Sequence, residues 1–181
     1  EPLRMPITQP PNESGLYRSE FERDSCGFGL IAHQHDCASH WVVQTALDAL
    51  IRLTHRGAVA ADGLSGDGCG LLMKLPREYL REVAAAQGIS LSDRFAVGCV
   101  FLNPQEEHAK HARECVAQRL SEQGLRVSGW RLVPINTDVC GERALATLPI
   151  IEQVFVHLPI ALADEEIERR LFIARRRAEI D

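Results

Sequence analysis

The stretch Asp24-Ser25-Cys26-Gly27-Phe28-Gly29-Leu30-Ile31-Ala32 determines how this chain is interpreted. After Cys26 the residues alternate between small and apolar and then become fully apolar, which predicts a buried strand over 27–32. A cysteine at the start of such a strand, with two glycines close behind it, has open space around its sulfur. That environment suits a nucleophile. On local sequence alone, a cysteine that is simply buried is the more common explanation, since free cysteine is among the most buried residue types.

Two further motifs follow along the chain. The first is Thr54-His55-Arg56-Gly57-Ala58, and the second is Asp62-Gly63-Leu64-Ser65-Gly66-Asp67-Gly68-Cys69-Gly70, which leads into the apolar segment 71–75. Together with the Cys26 stretch they give an ordered series of strand, helix, HRG motif, glycine–aspartate loop (GDGCG) and strand. The series closely resembles the N-terminal region of the class II, or N-terminal nucleophile, glutamine amidotransferase domain of glutamate synthase large chains. The segments 129–136 and 175–177 are also similar to that family, so the resemblance runs from Cys26 to about residue 177.

The resemblance implies both a fold and a domain organisation. Alternating helices and strands indicate α/β or α+β without deciding between them. The family implies α+β, as part of a four-layer αββα sandwich of the N-terminal nucleophile hydrolase type. Residues 26–181 would then be the N-terminal part of the amidotransferase domain, and 1–25 a flexible leader or propeptide. This leader is rich in proline and polar residues and has no apolar centre, so it is not a secretory signal.

The resemblance also implies a reaction. Cys26 would attack the side-chain amide of L-glutamine and form a γ-glutamyl thioester, releasing ammonia and then glutamate. In the complete enzyme the ammonia would aminate 2-oxoglutarate. The base in this family is the α-amino group of the cysteine itself, whose intrinsic pKa of about 7.7–8.0 is close to a working pH. While Ser25 is bonded to Cys26 that nitrogen is a non-basic amide, so the chain as written is expected to be an inactive precursor.

Other motif residues have structural and functional interpretations. Arg56 either bonds loop carbonyls or frames the nucleophile's pocket, as the matching family arginine does. His55 is expected to pack or cap its loop, and Asp67 to serve as a turn residue. The glycine-rich segment is not a nucleotide loop, because Leu71 stands where the third glycine of G-x-G-x-x-G would be and a strand is predicted to follow it.

Several family motifs are not recognisable. The family uses an Asn-Gly pair for the oxyanion, an arginine with a Ser/Thr run for the glutamine carboxylate, and an acidic residue for its amino group. Here Asn136 precedes Thr137, and Asn103 precedes Pro104. The resemblance places these motifs further along, so the C-terminal part of the domain is expected to be absent and the chain alone to have little activity.

Cofactors and partners follow from the resemblance as well. No cofactor is expected in this chain, whereas FMN and an iron–sulfur cluster are implied for the full-length protein. The implied partners are L-glutamine, the remainder of the large chain and a glutamate synthase small subunit. The electron donor stays open among NADPH, NADH and ferredoxin. Two alternatives also remain: the glutaminase domain of another class II amidotransferase, and a non-catalytic module that has kept the fold.

Composition excludes some other classes of function. The 181 residues are 45% apolar and 25% charged, as in an ordinary globular protein, and the net charge of -5 gives no reason to expect nucleic acid or an anionic membrane as partner. Six scattered cysteines without a C-x-x-C pair favour a reduced, cytoplasmic protein. The cluster from His33 to His40 matches no zinc pattern, so no metal site is expected.

Periodicity and breaker residues predict the remaining elements. The expected helices are 41–53, with Ser39 as N-cap, 77–86 after Pro76, 104–122 ending at Gly124, and 165–177. The expected strands beyond 27–32 are 69–75, a buried strand at 95–102, one within 125–135 that includes Trp130, and 150–157.

Overall fold

The structure is a computed structural model that describes residues 27–53, 57, 59–66 and 68–180. Contacts divide the chain into two units: residues 1–58 with 67–71, and residues 59–66 with 72–181. The described part of the first unit contains one helix, α1, at His40–Arg52. The second unit contains, in chain order, α2 (Arg77–Ala85), β1 (Phe95–Leu102), α3 (Glu106–Glu122), β2 (Arg126–Leu132), a 3-10 turn (Thr137–Val139), α4 (Glu142–Ala146), β3 (Ile150–His157) and α5 (Asp164–Ala178).

The three strands form one antiparallel sheet in the order β1-β3-β2. Strand β1 pairs with β3 along its whole length, from Phe95 opposite His157 to Leu102 opposite Ile150. Strand β2 pairs with the other edge of β3, and a bulge interrupts its register between Val127 and Gly129. Helices combined with an antiparallel sheet confirm the predicted α+β class.

The central strand supplies both faces of the core, because neighbouring residues of a strand point to opposite sides. Val154 and Val156 are buried against α3 and α5, in a cluster that also contains Leu120 and Ile167. Phe155 is fully buried on the other face, in a second cluster with Phe95, Leu80 and Ala84. One face therefore packs on two long helices, and the opposite face packs on α2.

Gly129 lies where β2 passes under the loop that follows α2. A Cβ atom at this position would be 2.8 Å from Cγ1 of Ile89 and 2.9 Å from its Cδ1, closer than packed carbon atoms come. Ile89 is itself packed against the Phe95–Phe155 cluster. The absence of a side chain at 129 thus allows the backbone of the bulged strand and the isoleucine to meet.

A buried ion pair ties α3 to the central strand. Nε and Nη2 of Arg113 donate to the two carboxylate oxygens of Glu152 at 2.9 and 2.8 Å, and Nη1 donates to Glu106 at 2.8 Å. Glu152 is only 7% exposed. Both carboxylates raise the pKa of Arg113, so the guanidinium stays charged at every accessible pH. Because both ions are largely withdrawn from water, each depends on the other for its solvation.

Most predicted elements are confirmed. Strands 95–102 and 150–157 have the expected bounds, β2 lies within 125–135 and includes Trp130, and the four long helices begin and end within about two residues of the predicted positions. Ser39 occupies the N-cap position of α1, although its side chain makes no capping hydrogen bond. No helix in the described part of the chain is long and apolar enough to cross a bilayer.

Three expectations about strands are wrong or only partly right. Segments 27–32 and 69–75 are not strands, and Phe28 and Leu72 are 92% and 100% exposed. An apolar run favours extended backbone, but a strand needs a neighbour for its hydrogen bonds, and no such neighbour lies beside either segment among the described residues. Strand β1 exists as predicted, yet Cys99 and Phe101 on it are exposed because α2 covers only the end near Phe95.

Candidate functional site

The two residues predicted to carry the chemistry, Cys26 and Arg56, lie outside the described residues. The same is true of His55 and Asp67. What the structure describes is the chain directly after Cys26, which is exposed around Phe28, and the segment that joins the HRG motif to the GDGCG motif. That joining segment, residues 59–66, includes the first residues of the second motif. Its side chains form a network of hydrogen bonds.

Residues 59–66 form a small hairpin, called here the motif hairpin. Val59 and Gly66 pair as an isolated antiparallel bridge, and the amide of Ala60 donates to the carbonyl of Ser65 at 2.7 Å. Gly63 at the tip has a φ of +70°, a conformation that glycine adopts without strain. The bridge brings together the two points at which the chain enters and leaves the hairpin.

The carboxylate of Asp62 organises the turn from within. Its Oδ1 accepts from the amides of Leu64 at 3.1 Å and Ser65 at 2.8 Å, and its Oδ2 accepts from the hydroxyl of Ser65 at 2.6 Å. A side chain that bonds backbone amides two and three residues ahead is the usual way in which aspartate fixes a turn. Ser65 is 8% exposed, so its hydroxyl depends on these partners in place of water.

The same two side chains also hold a distant segment. The amide of Ala144 donates to Oγ of Ser65 at 3.2 Å, and the amide of Arg143 approaches Oδ2 of Asp62 at 3.5 Å. These amides belong to the first turn of α4, whose N-cap is Gly141, a residue with no side chain to cap with. Asp62 and Ser65 therefore cap α4 from 79–81 residues away.

The fit between the motif hairpin and α4 is close. A Cβ atom on Gly141 would lie 2.4 Å from Oδ2 of Asp62 and 2.4 Å from Oγ of Ser65. Asp67 was the turn residue predicted in this region, whereas Asp62, Ser65 and Gly141 were not predicted from the sequence. The local signal was present, since Asp-Gly-x-Ser is a turn-forming pattern, but nothing in the sequence indicates its distant partner.

The hydrogen bonds in the motif hairpin change the acidity of Asp62. The Ser65 hydroxyl, and then the amides of Ser65 and Leu64, lower the pKa of the Asp62 carboxyl from 3.8 to about 2. In the unfolded chain the pKa returns to its ordinary value, so the folded state binds the proton less tightly. The stabilisation is complete above pH 3.8 and is lost as the pH falls from 3.8 through about 2.

We therefore expect Asp62→Asn to destabilise the protein at neutral pH and to have little effect below pH 2, where the native carboxyl is protonated too. The measurement is the urea midpoint of both proteins between pH 7 and pH 2, compared as a difference so that groups common to both cancel. A difference that stays constant down to pH 2 would contradict the depressed pKa of Asp62.

The described cysteines and histidines form neither a disulfide nor a metal-binding cluster. Cys37, Cys69 and Cys99 are exposed, Cys115 and Cys140 are half-buried, and no disulfide joins any two of these five. In the cluster around His33, the amide of His35 donates to Nδ1 of His33 at 3.2 Å, as in a polar turn. No three metal-binding side chains converge anywhere in residues 27–53, 57, 59–66 or 68–180.

Comparison with known proteins places these features in a family context. Residues 26–181 match the family described as class-II glutamine amidotransferases, and the match begins at Cys26. Among curated proteins, the chain is 36% identical over 176 residues to the "Glutamate synthase [NADPH] large chain" of Bacillus subtilis, covering 97% of this chain and 12% of that protein. It is 43% identical over 157 residues to "Ferredoxin-dependent glutamate synthase 2" of Synechocystis, covering 85% of this chain and 10% of that protein.

A third relative gives the same pattern. The chain is 39% identical over 168 residues to the "Glutamate synthase [NADPH] large chain" of Azospirillum brasilense, covering 92% of this chain and 11% of that protein. The chain thus spans about a tenth of the length of the curated relatives that it matches.

Proposed function

Because the chain belongs to the class II glutamine amidotransferases, we propose that it is the N-terminal part of the amidotransferase domain of a glutamate synthase large chain. The observation that carries the proposal is the family match, which starts at Cys26 and runs to residue 181. The three relatives described above are all glutamate synthases, which favours this family member over other class II amidotransferases.

In the proposed reaction the Cys26 thiolate attacks the side-chain carbonyl carbon of glutamine. The α-amino group of Cys26 takes the thiol proton and passes it to the departing amide nitrogen, so that ammonia leaves and a γ-glutamyl thioester remains. Water, deprotonated by the same amine, then cleaves the thioester to glutamate and restores the thiol. Arg56 frames the pocket, and the ammonia is consumed in the amination of 2-oxoglutarate.

The proposal extends to the rest of the protein and to its architecture. Among the described residues, the sheet face opposite α3 and α5 is covered at one end, by α2 and the residues next to it, and Phe101 on β1 is left 67% exposed. An apolar sheet face of this kind suits a second sheet, as in a four-layer αββα sandwich. Residues 26–181 would be the N-terminal part of that domain and 1–25 a propeptide. FMN and an iron–sulfur cluster belong to the proposed full-length cytoplasmic enzyme, and no residue of this chain is assigned to them.

The N-terminus of the active protein tests the mechanism. Edman sequencing and intact mass of the full-length enzyme should place the first residue at Cys26, because the amine can act as a base only after 1–25 are removed. Protein that retains these residues should hydrolyse glutamine at least about 10²-fold more slowly, which is the lower range for loss of a general base. An active enzyme that begins at Glu1 or Met5 would contradict the proposal.

A further inference from the structure

The motif hairpin lies between the HRG motif and GDGCG, two of the segments on which the family resemblance rests. The HRG motif ends at Gly57, two residues before the bridge residue Val59. The GDGCG motif begins at Gly66, which is the other bridge residue. The bridge therefore holds Val59, which closely follows the HRG motif in the sequence, beside Gly66, the first residue of GDGCG.

The residues around the hairpin would otherwise have much conformational freedom. Glycines at 57, 63, 66, 68 and 70 give this region many accessible backbone conformations. Ordering such a segment when substrate binds would cost binding free energy. The bonds from Asp62 and Ser65 to α4, together with the close approach of Gly141, order the hairpin before any ligand arrives.

We infer that Asp62 and Ser65 are positioning residues for the glutamine site, acting by anchoring the motif hairpin to the start of α4. The inference rests on the proposed function, in which the HRG motif supplies the pocket residue Arg56. Neither side chain is assigned contact with glutamine. Their contribution is to preorganise the backbone from which the two motifs extend, so their loss should appear mainly in the binding of glutamine.

The test uses steady-state kinetics of the full-length enzyme with glutamine and, separately, with ammonia. Asp62→Ala and Ser65→Ala should raise the KM for glutamine about tenfold or more, because bonds to a charged group are each worth roughly a factor of ten. The kcat with glutamine should change much less, and the ammonia-dependent reaction should be unchanged. The double variant should raise the KM for glutamine by less than the product of the two single increases, since both side chains act through one contact.

Two further variants sharpen the result. Gly141→Ala disturbs the same contact from α4 without altering Asp62 or Ser65, and its backbone φ of −74° is open to alanine, so only the steric clash is tested. It should also raise the KM for glutamine. Asp138→Ala is the matched control, because Asp138 is an exposed carboxylate in the neighbouring turn and is not part of the network. It should behave like the native protein.

The outcomes separate the inference from the function on which it rests. If Asp62→Ala and Ser65→Ala leave the KM for glutamine unchanged while Cys26→Ala inactivates the enzyme, the inference is overturned and the proposed function is not. A parallel loss of kcat with both nitrogen donors at unchanged KM also overturns it, because that pattern reports a smaller folded fraction. Glutamine turnover that survives Cys26→Ala overturns the proposed function and the inference together.

Discussion

Replacing Cys26 with Ala in the full-length protein is expected to abolish glutamine-dependent glutamate formation, with a loss on the order of 10³-fold or more. No thioester can form without the sulfur, and the remaining groups act as a set with the nucleophile. Cys26→Ser should lose nearly as much, since a hydroxyl is a far weaker nucleophile at neutral pH. Synthesis from added ammonia should survive in both variants, because it bypasses the thioester.

Labelling separates Cys26 from the other thiols. A glutamine analogue with an electrophilic side chain should modify Cys26 and leave Cys69 and Cys99 unmodified, although both are exposed. A simple alkylating agent of similar size is the control, because it reacts according to exposure and thiolate character and should also modify the exposed cysteines. If the analogue labels Cys69 and spares Cys26, the wrong thiol has been identified.

Removing the buried partner of Arg113 is expected to produce a large loss of stability in the described core. Glu152→Met should lower the free energy of unfolding by about 3 kcal/mol, the lower end for breaking a buried ion pair, because Glu106 still bonds the guanidinium at 2.8 Å. For a chain of this size the melting temperature should fall by about 6–12 °C. Urea and thermal unfolding of the 181-residue chain provide the measurement.

Two companion variants identify the cause. The double replacement Arg113→Met with Glu152→Met should recover most of the lost stability, since an apolar pair of similar volume carries no desolvation cost. Glu114→Met on the same helix removes a carboxylate that is 65% exposed, 4.0 Å from Lys110, and should change stability by less than about 0.5 kcal/mol. If the double variant is as unstable as Glu152→Met, the loss arises from packing and the unpaired charge is not responsible.

The sequence predicted those elements whose signals are local. Strand β1 has the predicted bounds because it is a continuous apolar run that ends before Asn103-Pro104, and β3, although it contains Glu152 and Gln153, lies between Pro149 and Pro159. Helix α3 ends where Gly124, with a φ of +70°, closes it, and the amide of Leu125 bonds back to the carbonyl of Leu120. Segments 27–32 and 69–75 have similar composition, yet strand formation also requires a neighbouring strand, which composition does not report.

The candidate site shows the same division between local and distant information. Cys26 and Arg56 were selected from motifs, and their roles remain predictions. The network of Asp62, Ser65 and Gly141 was missed because its decisive contacts join residues 79–81 apart, and no periodicity reveals such a pairing. Only the turn within the motif hairpin could have been predicted from its own residues.

The contact between Gly129 and Ile89 has a consequence for how this sequence can evolve. Any side chain at 129 must enter the space that Ile89 fills, so the first substitution at 129 is costly unless position 89 has already become smaller. The two positions should therefore covary: lineages with alanine at 129 should carry alanine at 89, because valine would keep the Cγ1 and Cγ2 atoms that lie 2.8 and 3.0 Å from the added Cβ. The order of events is constrained as well, because a smaller residue at 89 leaves a tolerable void, whereas a larger residue at 129 has to displace packed atoms.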